Sequence, residues 1–190
     1  MLDNNVHMPV EKFLKWEEIL NTDIDDWSKY FVLLKKSCRD TYLVNFQYKL
    51  LHRIIPTNSF LYKIKIKDTK LCTFCKTEDE TIEHLFFDCA LVHSFWEDLS
   101  LKLRQFHVDF EIDKRHVFLG YDQESLFLNF IILFAKNYIY KCKFKENIPT
   151  LVDFKNRIER YYAVEVCTAK KNNKLYLCER FWAPLQQIFI

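Results

Sequence analysis

Metal-binding side chains recur at coordinating intervals in one stretch, Leu71 to Ala90, LCTFCKTEDETIEHLFFDCA. Cys72 and Cys75 enclose two residues, the separation at which one tight knuckle aims two thiolates at a single ion. His84 and Cys89 follow after a polar connector. Three sulfurs and one imidazole make a closed tetrahedral zinc set. With no fourth position left for water, the expected ion is one structural zinc that staples the fold and activates no nucleophile. A lone Cys-x-x-Cys is also a redox motif, but thioredoxin-like chemistry needs a βαβ setting that the pattern does not show. The bland alternative is a set of buried cysteines beside an unrelated histidine, and the His and third Cys at short range favour the metal. His93 falls past the closing cysteine and reads as a surface residue or one behind the ligands.

The elements around this set must position it. Thr77 to Glu80 has the form of a helix-capping box, which predicts a short helix carrying His84, with Cys89 just past its last turn. Upstream, KIKIKDTK alternates Lys63, Lys65 and Lys67 against Ile64 and Ile66, which predicts a brief extended segment with one basic side. A short helix carrying Phe60 and Leu61 precedes it. Before that, Thr41 to Ile55 predicts a long helix with Leu43, Phe46, Leu50 and Ile54 along one buried line, ended by Pro56. Lys49, His52 and Arg53 then fall on the opposite face, where they could meet phosphate or be an ordinary solvated surface.

Composition bounds the rest. The chain has 190 residues, eighteen Phe and a single Gly, which leaves little material for hairpin turns and points to a helical class. Seven cysteines are an odd number, and three stand at zinc spacing, so a secreted disulfide framework is a poor reading. Cys38, Cys142, Cys167 and Cys178 are expected to be reduced and outside the metal site. A reducing compartment follows, nucleus or cytoplasm. The longest apolar run, about Leu126 to Ala135, is too short to span a bilayer, and no membrane role is expected. Charge is segregated: Lys35 to Lys70 carries nine basic and two acidic residues, and Lys76 to Asp98 carries seven acids against one Lys. Lys136 to Arg180 returns to eleven basic and five acidic. Basic blocks flanking an acidic one suggest a face for a polyanion.

Elsewhere, Phe13, Trp16 and Leu20 form one stripe of a short covering helix. Asp25 and Asp26 resemble paired polymerase aspartates only superficially, because no strand pattern surrounds them, and they read as acids at a helix start. HVFLG reads as a short apolar segment closed by Gly120. Ser125 to Phe144 is apolar on nearly all sides and predicts a central buried helix. Pro149 opens the next helix, whose buried stripe is Leu151, Phe154, Ile158, Tyr161 and Tyr162. Lys155, Arg157, Arg160, Lys170, Lys171 and Lys174 form a second candidate anion surface. No phosphate-cradling glycine loop, nucleophile elbow or strand-borne carboxylate pair is present, so an independent enzyme is not expected, nor is a small-molecule substrate.

The run FQYKLLHRIIPTN, then LCTFC, ETIEHLFFDC and FWEDL, resembles the zinc-binding region beyond the reverse transcriptase domain of non-LTR retrotransposon polyproteins. A looser likeness extends through DDWSKYF, HVFLG, ILFAKNYIYKCKFK and IPTLVDFKNRIE. The resemblance implies that Cys72, Cys75, His84 and Cys89 are the ligands, and that the region helps hold element RNA and target DNA during target-primed reverse transcription. It also implies the rest of such a polyprotein as a possible partner. The proline usual inside the Cys-x-x-Cys is replaced here by Thr73 and Phe74.

The expected fold is an all-α, irregular helical bundle stapled by one Cys-Cys-His-Cys knuckle, with little or no sheet. Residues 1–104 would form a helical region holding the knuckle at 71–90, and 105–190 a helical lobe packed on it. The expected role is a non-catalytic module binding RNA or DNA through Lys49, His52, Arg53, Lys63, Lys65, Lys67 and Lys70. The alternative is a protein-interaction module in which zinc only holds helices together.

Overall fold

In the computed structural model, residues 10–38, 40–105, 111–121 and 125–189 are described. The architecture follows from one helix that has no polar side. Leu126–Lys145 is buried without a break from Phe127 to Ile139, because nearly every side chain in that run is apolar and other helices must cover all of its faces. Three polar residues interrupt that run, Asn129, Lys136 and Asn137, and each bonds to a neighbouring segment, with Asn137 Nδ2 left without a partner among the described residues. Asn129 bonds to both backbone groups of Tyr121 and to the Ser125 carbonyl. Lys136, wholly buried, donates to the Gln47 amide oxygen, and Gln47 donates in turn to the Phe118 carbonyl at 2.8 Å. Burial away from any carboxylate holds the Lys136 ammonium well below the ordinary lysine range.

In chain order the helices are α1 (Val10–Leu20), α2 (Ser28–Ser37), α3 (Thr41–Leu51), α4 (Asn58–Lys63), α5 (Ala90–Arg104), α6 (Lys114–Leu119), α7 (Leu126–Lys145), α8 (Leu151–Lys171) and α9 (Leu175–Phe189). A π-helical turn, His84–Asp88, precedes α5. No sheet forms among the described residues, where one antiparallel bridge, Leu71 to Asp79, is the sole β pairing. Helices α2, α3, α6 and α9 and the π-turn pack against α7, while α8 and α9 pair as an antiparallel hairpin. Buried apolar side chains from Trp16 to Phe189 join in one cluster. Its aromatic members meet at angles, as ring quadrupoles favour: Phe130 packs edge-on against Trp182 at 5.4 Å and Phe95 against Phe154 at 5.5 Å. No described helix is long and apolar enough to cross a membrane.

Two expectations about this scaffold hold with shifts of a few residues. The central helix lies where the apolar run predicts, with Ser125 as its N-cap. Helix α8 begins at Leu151 under a Thr150 cap, so Pro149 stands before the cap and not inside the first turn. Phe154 and Ile158 of its predicted stripe are buried, and Leu151, Tyr161 and Tyr162 pack at the margin. HVFLG is helical, within α6, and closes on Gly120 at φ 92. A Cβ there would stand 2.6 Å from Asn129 Oδ1, so the glycine is required. Because the chain has no other glycine, left-handed turns fall on other residues: Asn21, Arg53, Lys65, Lys76, Glu146 and Asn173 all have positive φ.

Candidate metal centre

The knuckle is built on a short hairpin of backbone bonds. Cys72 N donates to Glu78 O at 2.7 Å, Glu80 N to Lys70 O at 2.8 Å, and Lys76, left-handed at φ 60, donates to Cys72 O at 3.1 Å. Phe74 N points at Cys72 Sγ at 3.3 Å, an N–H to sulfur bond that favours the thiolate. On the other side, Thr81 Oγ1 accepts from His84 N at 3.1 Å and starts the helical segment. The cap is therefore Thr81, not Thr77, and the helix bearing His84 is a π-turn whose wider winding ends on Cys89. Glu80 is drawn into the interior, where it accepts from the Asn58 and Thr73 amides, and so cannot reach back to Thr77 as a capping-box acid.

These two halves bring Cys72, Cys75, His84 and Cys89 together, with one ligand atom of each within 4.8 Å of every other. A tetrahedral zinc with Zn–S of about 2.3 Å and Zn–N of about 2.0 Å sets edges of about 3.8 Å between sulfurs and about 3.5 Å between sulfur and nitrogen. Cys72 Sγ lies 3.9 Å from Cys89 Sγ, and Cys75 Sγ lies 3.3 Å from His84 Nε2. The donor set and its edges fit one structural zinc. His84 Nδ1, the ring nitrogen turned away from Cys75, faces the Glu78 carboxylate at 3.5 Å, the arrangement that fixes the tautomer of a metal-binding imidazole.

Electrostatics also favour ligation. The Cys72 thiol bonds to Cys89 and so holds Cys89 below the ordinary thiol range, while Cys72 itself is raised by that pairing and by burial. Burial pushes Cys75 up, but the Thr77 hydroxyl, the Thr77 and Glu78 amides and His84 outweigh it and bring the thiol down to about 7. Burial pushes His84 down, and the neighbouring sulfurs and Glu78 raise it above its usual range. No other group of three or more His, Cys, Asp or Glu among the described residues is placed to hold a metal. His93 is exposed and pairs with Glu97 at 3.8 Å.

Behind the ligands sits a buried ionic hub that sequence reasoning missed. Glu80, wholly buried, accepts from the Lys143 ammonium and from Asn58 N (2.8 Å) through Oε1, and from Thr73 N (2.8 Å) through Oε2. Lys143 also donates to Asn58 Oδ1 at 3.0 Å, and Asn58 Nδ2 donates to Leu71 O at 2.7 Å. One carboxylate thus ties the Cys-x-x-Cys, the start of α4 and the end of α7. A proline at position 73 would lack the amide that Glu80 uses.

The basic candidates separate. Lys49 is exposed on α3. That helix ends at Leu51, four residues before Ile55, in a turn where left-handed Arg53 lets Ile54 N reach Lys49 O at 3.0 Å. The early end swings the predicted basic face. His52 is buried, against the Tyr48 ring at 4.0 Å, and Arg53 turns inward to pair with Glu83 and lie 4.6 Å over the Trp16 ring. Ile54, predicted core, is exposed and Ile55 takes its place. The predicted extended segment after α4 is instead a tight turn through left-handed Lys65, because four hydrogen bonds fold it back on α4. Lys63, Lys65 and Lys67 remain exposed, and Lys70 pairs with Asp79 at 2.8 Å. In the second basic block Arg157 is half-buried, bonded to Asn137 Oδ1 at 3.1 Å, and Lys155 faces Glu159 at 3.6 Å.

Residues 15–96 match the family model described as zinc-binding in reverse transcriptase, a span from α1 into α5 that contains all four metal-site residues. No curated protein matches the chain.

Proposed function

We propose that this chain is a zinc-stapled, non-catalytic module that binds RNA or DNA, akin to the segment that assists template or target binding in reverse transcription by non-LTR retrotransposons. Cys72, Cys75, His84 and Cys89 hold the ion, which orders the knuckle, and Lys63, Lys65 and Lys67 present positive charge beside it, with Lys49 on α3 as a further contact. The observation that carries this reading is the Cys3His cluster lying inside the matched segment. The exposed lysines support the partner, since none of the three forms an ion pair among the described residues. His52 and Arg53 support the fold and not the contact, because both are committed inside it.

Each phosphate neutralised releases condensed counterions, so affinity falls with log salt by about 0.7 per contact on single strands and about 0.9 on duplex. Replacing Lys63, Lys65 and Lys67 together by Ala should lower that slope by about two to three units if all three touch phosphate. Gel-shift titrations across salt measure it. An unchanged slope would place the contact elsewhere, with Lys170, Lys171 and Lys174 next to test. No polyanion bound at low salt would favour the protein-interaction reading.

A further inference from the structure

We propose that α4 and the turn behind it are a stacking platform for a single strand, the Phe60 and Tyr62 rings taking unpaired bases while Lys63, Lys65 and Lys67 meet the adjoining phosphates. This rests on the nucleic-acid reading and adds to it the strand state and the groups that sense it.

Helix α4 buries only Asn58, whereas Phe60 is 50% exposed, Tyr62 48%, Ile64 44% and Ile66 68%. Large apolar side chains displayed this densely mark an interaction site. The display is held firmly: Ile64 N bonds Phe60 O, Lys65 N bonds Tyr62 O, and Ile66 N and Lys67 N both bond Leu61 O, at 2.8 to 3.3 Å. The Glu80 hub anchors the helix start through Asn58. Neither ring packs on another aromatic among the described residues, in contrast to Phe13, stacked on Trp27 at 4.3 Å. Two residues apart on one helix, the rings point to different sides and so take separate bases. Charge selects the occupant. The lysines alternate with the apolar groups, and Asp68 is the one acid between Asn58 and Lys70, so an anionic chain that also offers π-faces complements both. In a duplex the bases are already stacked, which leaves the rings nothing to receive.

The test uses the full zinc-loaded chain and labelled oligonucleotides of single-stranded RNA, single-stranded DNA and duplex DNA. Phe60→Ala with Tyr62→Ala should weaken single-strand binding by about tenfold or more, leave duplex binding within twofold, and keep the salt slope. Phe60→Leu with Tyr62→Leu, which keeps apolar bulk without a ring, should lose as much. The ratio of RNA to DNA affinity of the parent identifies the strand. Equal single-strand binding by the double alanine variant, full binding by the leucine variant, or an equal loss on duplex would each overturn the platform while leaving the lysine contacts standing. A parent chain that binds no nucleic acid would overturn the underlying reading instead.

Discussion

At the scale of single residues, spacing made the metal set legible, because tetrahedral coordination demands donors at short intervals and few other functions do. It could not show which side His52 and Arg53 take, since that depends on where α3 stops. His52 Nε2 has no hydrogen-bond partner among the described residues, and burial, with the charge of Lys12 second, holds its pKa below 6.5. The proton therefore binds the unfolded chain more readily, so the stability associated with neutral His52 is complete above about pH 6.5 and lost as pH falls through the lower folded-state value. An NMR titration of the imidazole should place His52 below 6.5, and His52→Gln should flatten the stability profile in that window. For the metal itself, acid digestion and elemental analysis should find one zinc per chain. Cys75→Ser or His84→Ala should abolish it and unfold the knuckle, since structural zinc in finger peptides contributes on the order of 10 to 16 kcal/mol near neutral pH.

At the scale of elements, α7 was readable because no polar side interrupts its apolar run, and the stripe of α8 because burial on one face follows helical periodicity. The KIKIK turn was not, because alternation over five residues fits an extended strand and a helix end equally well until backbone bonds decide. The same holds for Glu80, whose partner Lys143 lies 63 residues away and leaves no local trace. Burial pushes the Lys143 ammonium down, and Glu80 partly offsets this. Lys143→Met should cost about 3 to 5 kcal/mol by stranding a buried carboxylate. Adding Glu80→Gln should return part of that loss, because the charge is then gone while one acceptor remains. Denaturant unfolding of the zinc-loaded variants measures both.

Across the whole molecule, knuckle and central helix share the Glu80 hub, so metal removal should be felt beyond the ligands. Hydrogen exchange on a chelated sample should speed at the Thr73 and Asn58 amides and at the last turn of α7, while the middle of α7, from Phe130 to Ile139, stays protected by the apolar cluster. Uniform loss of protection would show that the zinc supports the entire core. The extent of this coupling was invisible in the sequence, where the acidic knuckle and the basic end of α7 look like separate blocks.

A chain with a single glycine turns some corners on Asn, which tolerates them, and four on Arg53, Lys65, Lys76 and Glu146, which suit them less, and that leaves room for improvement by design. Left-handed backbone costs an L-residue about 1 to 2 kcal/mol, against roughly 0.5 to 1 kcal/mol for the extra freedom glycine has when unfolded. Glu146, exposed and at φ 55, makes no ion pair among the described residues, so Glu146→Gly should raise the unfolding midpoint slightly. Arg53→Gly should lower it, because there the side chain's pairing with Glu83 and its seat over Trp16 outweigh the relief of strain. Thermal melts of the two variants side by side would sort corners that are merely tolerated from those the fold depends on.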